Sequence, residues 1–420
     1  MNAFEYKNNL LHAEDVSLQE LADVYGTPCY VYSKAAIEAN YRAYENALSP
    51  WPSRICYAVK ANSNLAVLSL LAKLGAGFDI VSIGELERVI RAGGDVKKVV
   101  FSGVAKRSDE IRRALVMGID CFNIESTAEL QRLDAITSEM DIHAHVSLRV
   151  NPDVDATTHP YISTGLIENK FGVDINDALE IYQHIATCSH LEAVGVDCHI
   201  GSQLLDLSPF QSCFEKIFKL VDQLSDVGIQ LKHIDVGGGL GIRYEDSEQP
   251  PTMQQYAGVL APFMEARKKK TEVEIFVEPG RSIVGDAGVL LTRVEHLKNT
   301  SDKNFALVDA AMNDLMRPSL YTAWHDIASV EQTDGKTTRY DVVGPVCETG
   351  DFLGKDRALD IQEGSLLAVH AVGAYGFVMS SNYNTRLRAA EILVDGDEAY
   401  LIRMRETFDQ ILANEIIPDN

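Results

Sequence analysis

Positive charge is scarce in this sequence: its 420 residues carry 38 Lys plus Arg against 61 Asp plus Glu, a formal charge of -23. A chain this acidic repels phosphate backbones and anionic lipid surfaces, which argues against nucleic-acid binding and electrostatic membrane docking. Long hydrophobic runs are missing too. No apolar stretch approaches the roughly 18 residues that a membrane-spanning helix needs. The opening stretch MNAFEYKNNLLHAEDVSLQEL lacks the basic and apolar segments of a secretory signal, so a cytoplasmic protein is the expectation. The seven cysteines (Cys29, Cys56, Cys121, Cys188, Cys198, Cys213, Cys347) form no CxxC pair and no zinc-ligand spacing, so reduced thiols and no metal site are expected. P-loop, HExxH and GxSxG patterns are absent, which removes the simplest NTPase, zinc-protease and serine-hydrolase readings. There is no repeat of solenoid period and no low-complexity linker.

What is present is the composition of a globular protein, 46% hydrophobic and 24% charged. From about residue 54, short β-branched or apolar runs alternate with amphipathic stretches, the pattern of parallel strands joined by crossover helices. The strand candidates are ICYAVKA (55–61), GFDIVS (77–82), KKVVFSG (97–103), DCFNIES (120–126), HAHVSLRVN (143–151), EAVGVDCHIGS (192–202), KHIDVGG (232–238) and VEIFVEPG (273–280). Eight such units over a stretch of about 250 residues predict a (β/α)8 barrel. An open doubly wound sheet fits less well, because GGGLG (237–241) lacks the full GxGxxG spacing and follows the seventh strand rather than the first. After Gly285 the crossover helices stop, and GVLLTRVEHLKN, NFALVDAA, TTRYDVVGPVC, GSLLAVHAVGAY and EAYLIRMRE predict a β-barrel or sandwich-like domain. The expected division is 1–35, whose strand in TPCYVYS pairs with the β domain to complete it, 36–284 for the barrel, and 285–420 for the β domain.

Reacting residues in such a barrel stand at the carboxyl ends of its strands. There the sequence places Lys60, Asp79 with Ser82, Ser102, Glu125 with Ser126, Arg149 with Asn151, His199 with Ser202, Gly237 to Gly239, and Glu278 with Arg281. For Ser82, Ser102 and Ser126, satisfying nearby backbone groups is explanation enough. Lys, His, Glu and Arg converging on one face ask for chemistry. A desolvated Lys60 suits covalent work with an aldehyde cofactor. The glycine turn, Gly280 and Arg281 offer N–H donors to a phosphate, although tight strand-to-helix turns would look the same. Glu278 could keep a pyridine nitrogen protonated, and His199 could lie flat on a ring.

YAVKAN, GFDIVS, HIGSQ, DVGGGLG and EPGRSIV resemble the fold-type III, alanine-racemase-like pyridoxal-phosphate decarboxylases. The closer likeness is to the diaminopimelate decarboxylases, and it runs from YGTPCYVYS to GAYGFVMSSNYN through HPYISTGLIENKFG (159–172), MRPSLYTAWH (316–325) and GPVCETGDFLGKDR (344–357). The resemblance implies decarboxylation of meso-2,6-diaminoheptanedioate to L-lysine. It makes Lys60 the lysine that carries pyridoxal 5'-phosphate, with Asp79 among the cofactor contacts. Glu278 is the partner of the pyridine nitrogen and His199 the stacked imidazole. Gly238, Gly239, Gly280, Arg281 and Ser202 correspond to the phosphate side. Arg281 also faces substrate, Arg317 and Tyr321 match a carboxylate-binding RPxxY motif, Cys347 a proton donor, Glu348 an amine contact, and Tyr375 a contact to both cofactor and substrate. Thr349 stands where family members usually have Ser. The resemblance further implies a head-to-tail homodimer with composite sites. The alternatives are a decarboxylase of ornithine, arginine, carboxynorspermidine or carrier-linked glutamate, and a non-catalytic cofactor-binding barrel. Residues 151–170 are long and polar enough for a lid.

Overall fold

A computed structural model describes residues 3–154, 170–268 and 273–418. Residues 155–169, which make up most of the expected lid and most of HPYISTGLIENKFG, lie outside the described residues. The chain divides into two compact units, one of residues 40–242 and 249–282, the other of 1–39, 243–248 and 283–420. The six residues 243–248, which lie between two strands of the barrel in sequence, belong to the β unit, a membership that the sequence pattern does not signal.

In the first unit eight parallel strands close on themselves: β1 Ser53–Ala58, β2 Gly77–Ile80, β3 Val99–Phe101, β4 Cys121–Ile124, β5 Ala144–Asn151, β6 Leu191–Asp197, β7 His233–Asp235 and β8 Glu274–Val277. Each pairs with the next, and β8 returns to β1 with Val277 opposite Ile55. This is the expected barrel, and all eight expected strands take part. Helices between strands start and stop on side-chain signals. Asn64 caps Leu65–Lys73, Ser82 caps Ile83–Arg91 and Ser126 caps Thr127–Met140, each accepting a backbone N–H of the first turn. Ser82 and Ser126 are thus cap residues, while Gly118 ends Ser108–Met117 in the left-handed conformation. At the closure, the hydroxyls of Tyr44, before β1, and Ser282, after β8, lie 2.7 Å apart.

The barrel interior changes character along its axis. Cys56, Val100, Cys121, Val194 and Phe276 form an apolar cluster. Toward the carboxyl ends of the strands the buried side chains become polar: Asp79, Asn123, Ser147, Arg149, Asp197, Asp235 and Glu278. An all-parallel barrel with apolar residues throughout would be more stable, since each buried polar group must recover its lost hydration. A polar layer at that end marks where the fold trades stability for chemistry.

The second unit is built around the twelve-residue strand Gly288–Asn299. It runs antiparallel to Cys29–Ser33, Asn304–Val308 and Leu366–Val369. Cys29–Ser33, buried along its whole length, lies between Gly288–Asn299 and Ala390–Asp395. The amino-terminal segment therefore completes the β domain from its middle, because its fully buried strand needs a backbone partner on both edges. Phe352–Leu359, Ile327–Ser329 and Ala390–Asp395 are further strands of this unit. The first of them escapes a sequence reading because Gly, Lys, Asp and Arg in FLGKDRAL are poor strand formers.

Candidate active site

In the barrel unit the site begins with a lysine. β1 ends at Ala58 and gives way to a single 3-10 turn, Val59–Ala61, which carries Lys60. Register places Asp79 of β2 opposite Ala58, and Lys60 Nζ donates to Asp79 Oδ2 at 2.5 Å. The Asp79 carboxylate is fully buried whereas the lysine side chain keeps 38% of its surface exposed, so the amine is held by charge yet reachable.

Glu278 follows β8 and is buried. Its carboxylate receives the Ser102 hydroxyl at 3.4 Å, and Asn123 in turn donates to Ser102 at 3.0 Å. Carboxylate oxygens of Asp197, Asp235 and Glu278 come within 4.8 Å of one another. Three negative charges that close cannot all persist in a buried site. Burial, and then the charges of Asp235, Asp79 and Asp197, push Glu278 well above the usual carboxylate range. Burial and the Asp235 charge do the same to Asp197. Burial raises Asp235 to about 7, although the Gly237 N–H, 2.9 Å from its Oδ1, works against the rise. At neutral pH this group holds protons, and a hydrogen bond between Asp235 and Glu278 is one place where a proton is shared.

His199 stands two residues beyond β6. Its Nδ1 accepts the Gly238 N–H at 3.2 Å, which places the ring hydrogen on Nε2. Burial, with the positive charges of Arg149 and Lys60, holds its pKa well below the ordinary imidazole value. The ring is therefore neutral, planar and oriented.

The turn after β7 is glycine because backbone fills the space a side chain would need. A Cβ at Gly238 would stand 2.2 Å from the Glu278 carbonyl oxygen, and one at Gly239, whose φ is +106°, 2.4 Å from that of Gly201. Two N–H groups here are committed, Gly237 to Asp235 and Gly238 to His199. Those of Gly239 and Gly280 donate to no group among the described residues. The buried Arg281 donates to the Ser202 hydroxyl at 3.1 Å. A phosphate fits this donor set: bare N–H groups plus an oriented guanidinium. An amine, a protonated carboxyl, a flat neutral imidazole and an anion cradle together match the functional groups of pyridoxal phosphate.

The remaining expected residues lie in the β unit. Arg317 opens the short helix Arg317–Tyr321, and Ser319 of that helix donates to the Gly350 carbonyl at 2.6 Å, docking it on the turn that carries Cys347 and Glu348. Asp351 holds that turn by accepting the N–H groups of Val346 and Met312, both at 2.7 Å. Cys347 is exposed, with its backbone N–H on Asn384 Oδ1 at 2.9 Å. Tyr383 bonds Glu348, which raises the phenol's pKa. Tyr375 takes φ +56°, a strained conformation for a bulky side chain. Sequence reasoning singled out neither Asp197 nor Asp235. The available signal is a carboxylate at the carboxyl end of a barrel strand, directly after Val196 or Ile234.

The model of the pyridoxal-dependent decarboxylase family, pyridoxal binding domain, matches residues 34–285. A diaminopimelate decarboxylase of Pseudomonas aeruginosa is 58% identical over 415 residues, covering 99% of each chain. The crystal structure of a diaminopimelate decarboxylase from Helicobacter pylori complexed with L-lysine superposes with a TM-score of 0.90 at 43% identity, covering 94% of this chain and 98% of the other. One from M. jannaschii, also in complex with L-lysine, reaches 0.95 at 39% identity, covering 99% and 98%. With this barrel, this constellation and these identities over nearly whole chains, the protein belongs to the diaminopimelate decarboxylase family.

Proposed function

We propose that the protein decarboxylates meso-2,6-diaminoheptanedioate to L-lysine and CO2, the last step of lysine biosynthesis, with pyridoxal 5'-phosphate as cofactor. The observation that carries this reading is the grouping of Lys60, Glu278, His199, Gly239, Gly280 and Arg281 at the carboxyl ends of the barrel strands. Bound there, pyridoxal phosphate supplies a ring that withdraws electrons from the reacting carbon as CO2 leaves. Lys60 Nζ is the covalent attachment point, and Asp79 aims it. Glu278 holds a proton for the ring nitrogen. His199 offers a neutral face, with Gly238 fixing its tautomer. Gly239, Gly280 and Arg281 bind the phosphate, and Ser202 orients the arginine.

The substrate carries an amino-acid group at each end, so one end must be recognised while the other reacts. Arg317 grips the distal carboxylate through a guanidinium fork, and Glu348 the distal ammonium. Tyr321 and Tyr375 line the same substrate, and Arg281 also faces it. The Cys347 thiol returns a proton to the carbon that lost CO2.

We further infer a cytoplasmic homodimer in which Cys347, Glu348 and Tyr375 act in the partner subunit's site. Exposed Met404, Phe408, Leu412, Ile416 and Ile417 near the carboxyl end suit an interface between copies. All seven cysteines are free, as a reducing compartment allows. Among the described residues no helix is long and apolar enough to cross a membrane.

Borohydride reduction of the holoprotein tests the reading when paired with product analysis. A stable adduct on Lys60 and lysine formed with CO2 from diaminopimelate are expected. An adduct without CO2 release would leave a binding protein, and release from ornithine or arginine in preference would change the substrate.

A further inference from the structure

The motif MRPSLYTAWH contains a histidine to which no role has been given. His325 is completely buried in the β unit. Its Nδ1 lies 2.9 Å from the His370 carbonyl oxygen, and its Nε2 lies 3.0 Å from Arg317 Nη1. A carbonyl only accepts and a guanidinium only donates. The ring hydrogen must therefore be on Nδ1, leaving the Nε2 lone pair to receive Arg317. His325 is neutral in this arrangement, because a second ring hydrogen would meet the arginine's own N–H.

Arg317 Nη1 also donates to the Tyr244 hydroxyl at 2.8 Å, and the guanidinium carbon stands 4.8 Å from the centre of the Tyr244 ring. Tyr244 and His325 meet edge to face, with centroids 5.2 Å apart and planes at 85°. Tyr244 comes from residues 243–248, and this triad is one of the contacts that joins that segment to the β unit. Arg317 is thus located by two neutral acceptors and an aromatic face. These partners set the plane of the guanidinium and themselves add no opposite charge to it.

We propose that His325 and Tyr244 are positioning residues that orient Arg317 for a substrate carboxylate, and that they set the preference of the site for ligands bearing one. The inference rests on the reading of Arg317 as the distal-carboxylate grip. L-lysine keeps that carboxylate and 1,5-diaminopentane lacks it, so the ratio of their dissociation constants on the holoenzyme, measured by calorimetry, isolates the interaction.

The wild-type enzyme should favour L-lysine. In His325→Leu the preference should fall by about tenfold or more, the effect of losing a hydrogen bond to a buried charged group, with diaminopentane binding unchanged. His325→Gln, whose amide oxygen can accept near the place of Nε2, should recover most of it, and Tyr244→Phe should lose part of it. An unaltered ratio in both His325→Leu and Tyr244→Phe would overturn the proposal, as would equal weakening of both ligands. Should His325→Leu not fold, Tyr244→Phe decides alone by the same ratio. A wild-type enzyme that releases no CO2 from diaminopimelate would instead remove the underlying reading, and the proposal with it.

Discussion

Lys60 and Asp79 form a hydrogen-bonded ion pair across neighbouring barrel strands, with the lysine part exposed and the carboxylate wholly buried. On the proposed reading, the pair orients the amine to which pyridoxal phosphate attaches. Asp79→Asn keeps the shape and removes the charge, which weakens a charge-assisted hydrogen bond. Loading of apoprotein with pyridoxal phosphate, followed by absorbance, should slow by roughly tenfold. Equal loading rates for the two proteins would show that Asp79 does not aim Lys60.

The carboxylate group beneath the site predicts a pH dependence of stability. Asp235 is raised from the ordinary aspartate value to about 7, chiefly by burial. A carboxyl raised in the fold binds its proton more tightly folded than unfolded, so stability falls as pH climbs from about 4 to about 7 and then levels. Asp235→Asn removes that cost while its amide oxygen can still accept from Gly237. Its melting temperature should exceed that of wild type at pH 8 and match it near pH 4, with a gain of at most a few kcal/mol. A gain of the same size at both pH values would place its origin in packing.

On the proposed reading, Glu348 offers the counter-charge for the distal ammonium. Glu348→Ala should lose most discrimination between diaminopimelate and amino acids lacking that amine, by about tenfold in kcat/KM. Tyr383, which bonds Glu348, should then show a phenol pKa closer to its ordinary value, since that bond is the largest cause of its rise. Unchanged selectivity would remove Glu348 from substrate recognition.

Shared sites can be tested by complementation. Lys60→Ala and Cys347→Ala should each be nearly inactive alone. If a closed dimer places Cys347 in the partner's site, random exchange yields half hybrids, each with one intact site, and activity returns to about a quarter of wild type. No recovery under proven subunit exchange would leave each site within one chain.

Much of the fold and of the candidate site is legible in the sequence. Hydrophobic periodicity marked all eight barrel strands, and reading along them to their carboxyl ends reached Lys60, Asp79, His199 and Glu278. Ser82 and Ser126 were recognisable as backbone-satisfying residues and prove to be caps. The residues proposed to face substrate are reached through motifs: without its motif Arg317 would read as a surface residue, whereas Cys347 stands out locally by its Gly-rich turn with Pro345, Glu348 and Asp351.

Strand count, helix limits and the side-chain chemistry at strand ends are local properties, carried by periods of two and 3.6 residues and by neighbours along the chain. Other features depend on closure and pairing between distant segments. The barrel has to close before Asp197 and Asp235 are buried against Glu278 and keep their protons. Cys29–Ser33 becomes a central strand only when Gly288–Asn299 and Ala390–Asp395 flank it. Arg317, His325 and Tyr244 meet only in the folded β unit. Burial and proximity set charge state and orientation, and neither quantity is defined until the chain has folded.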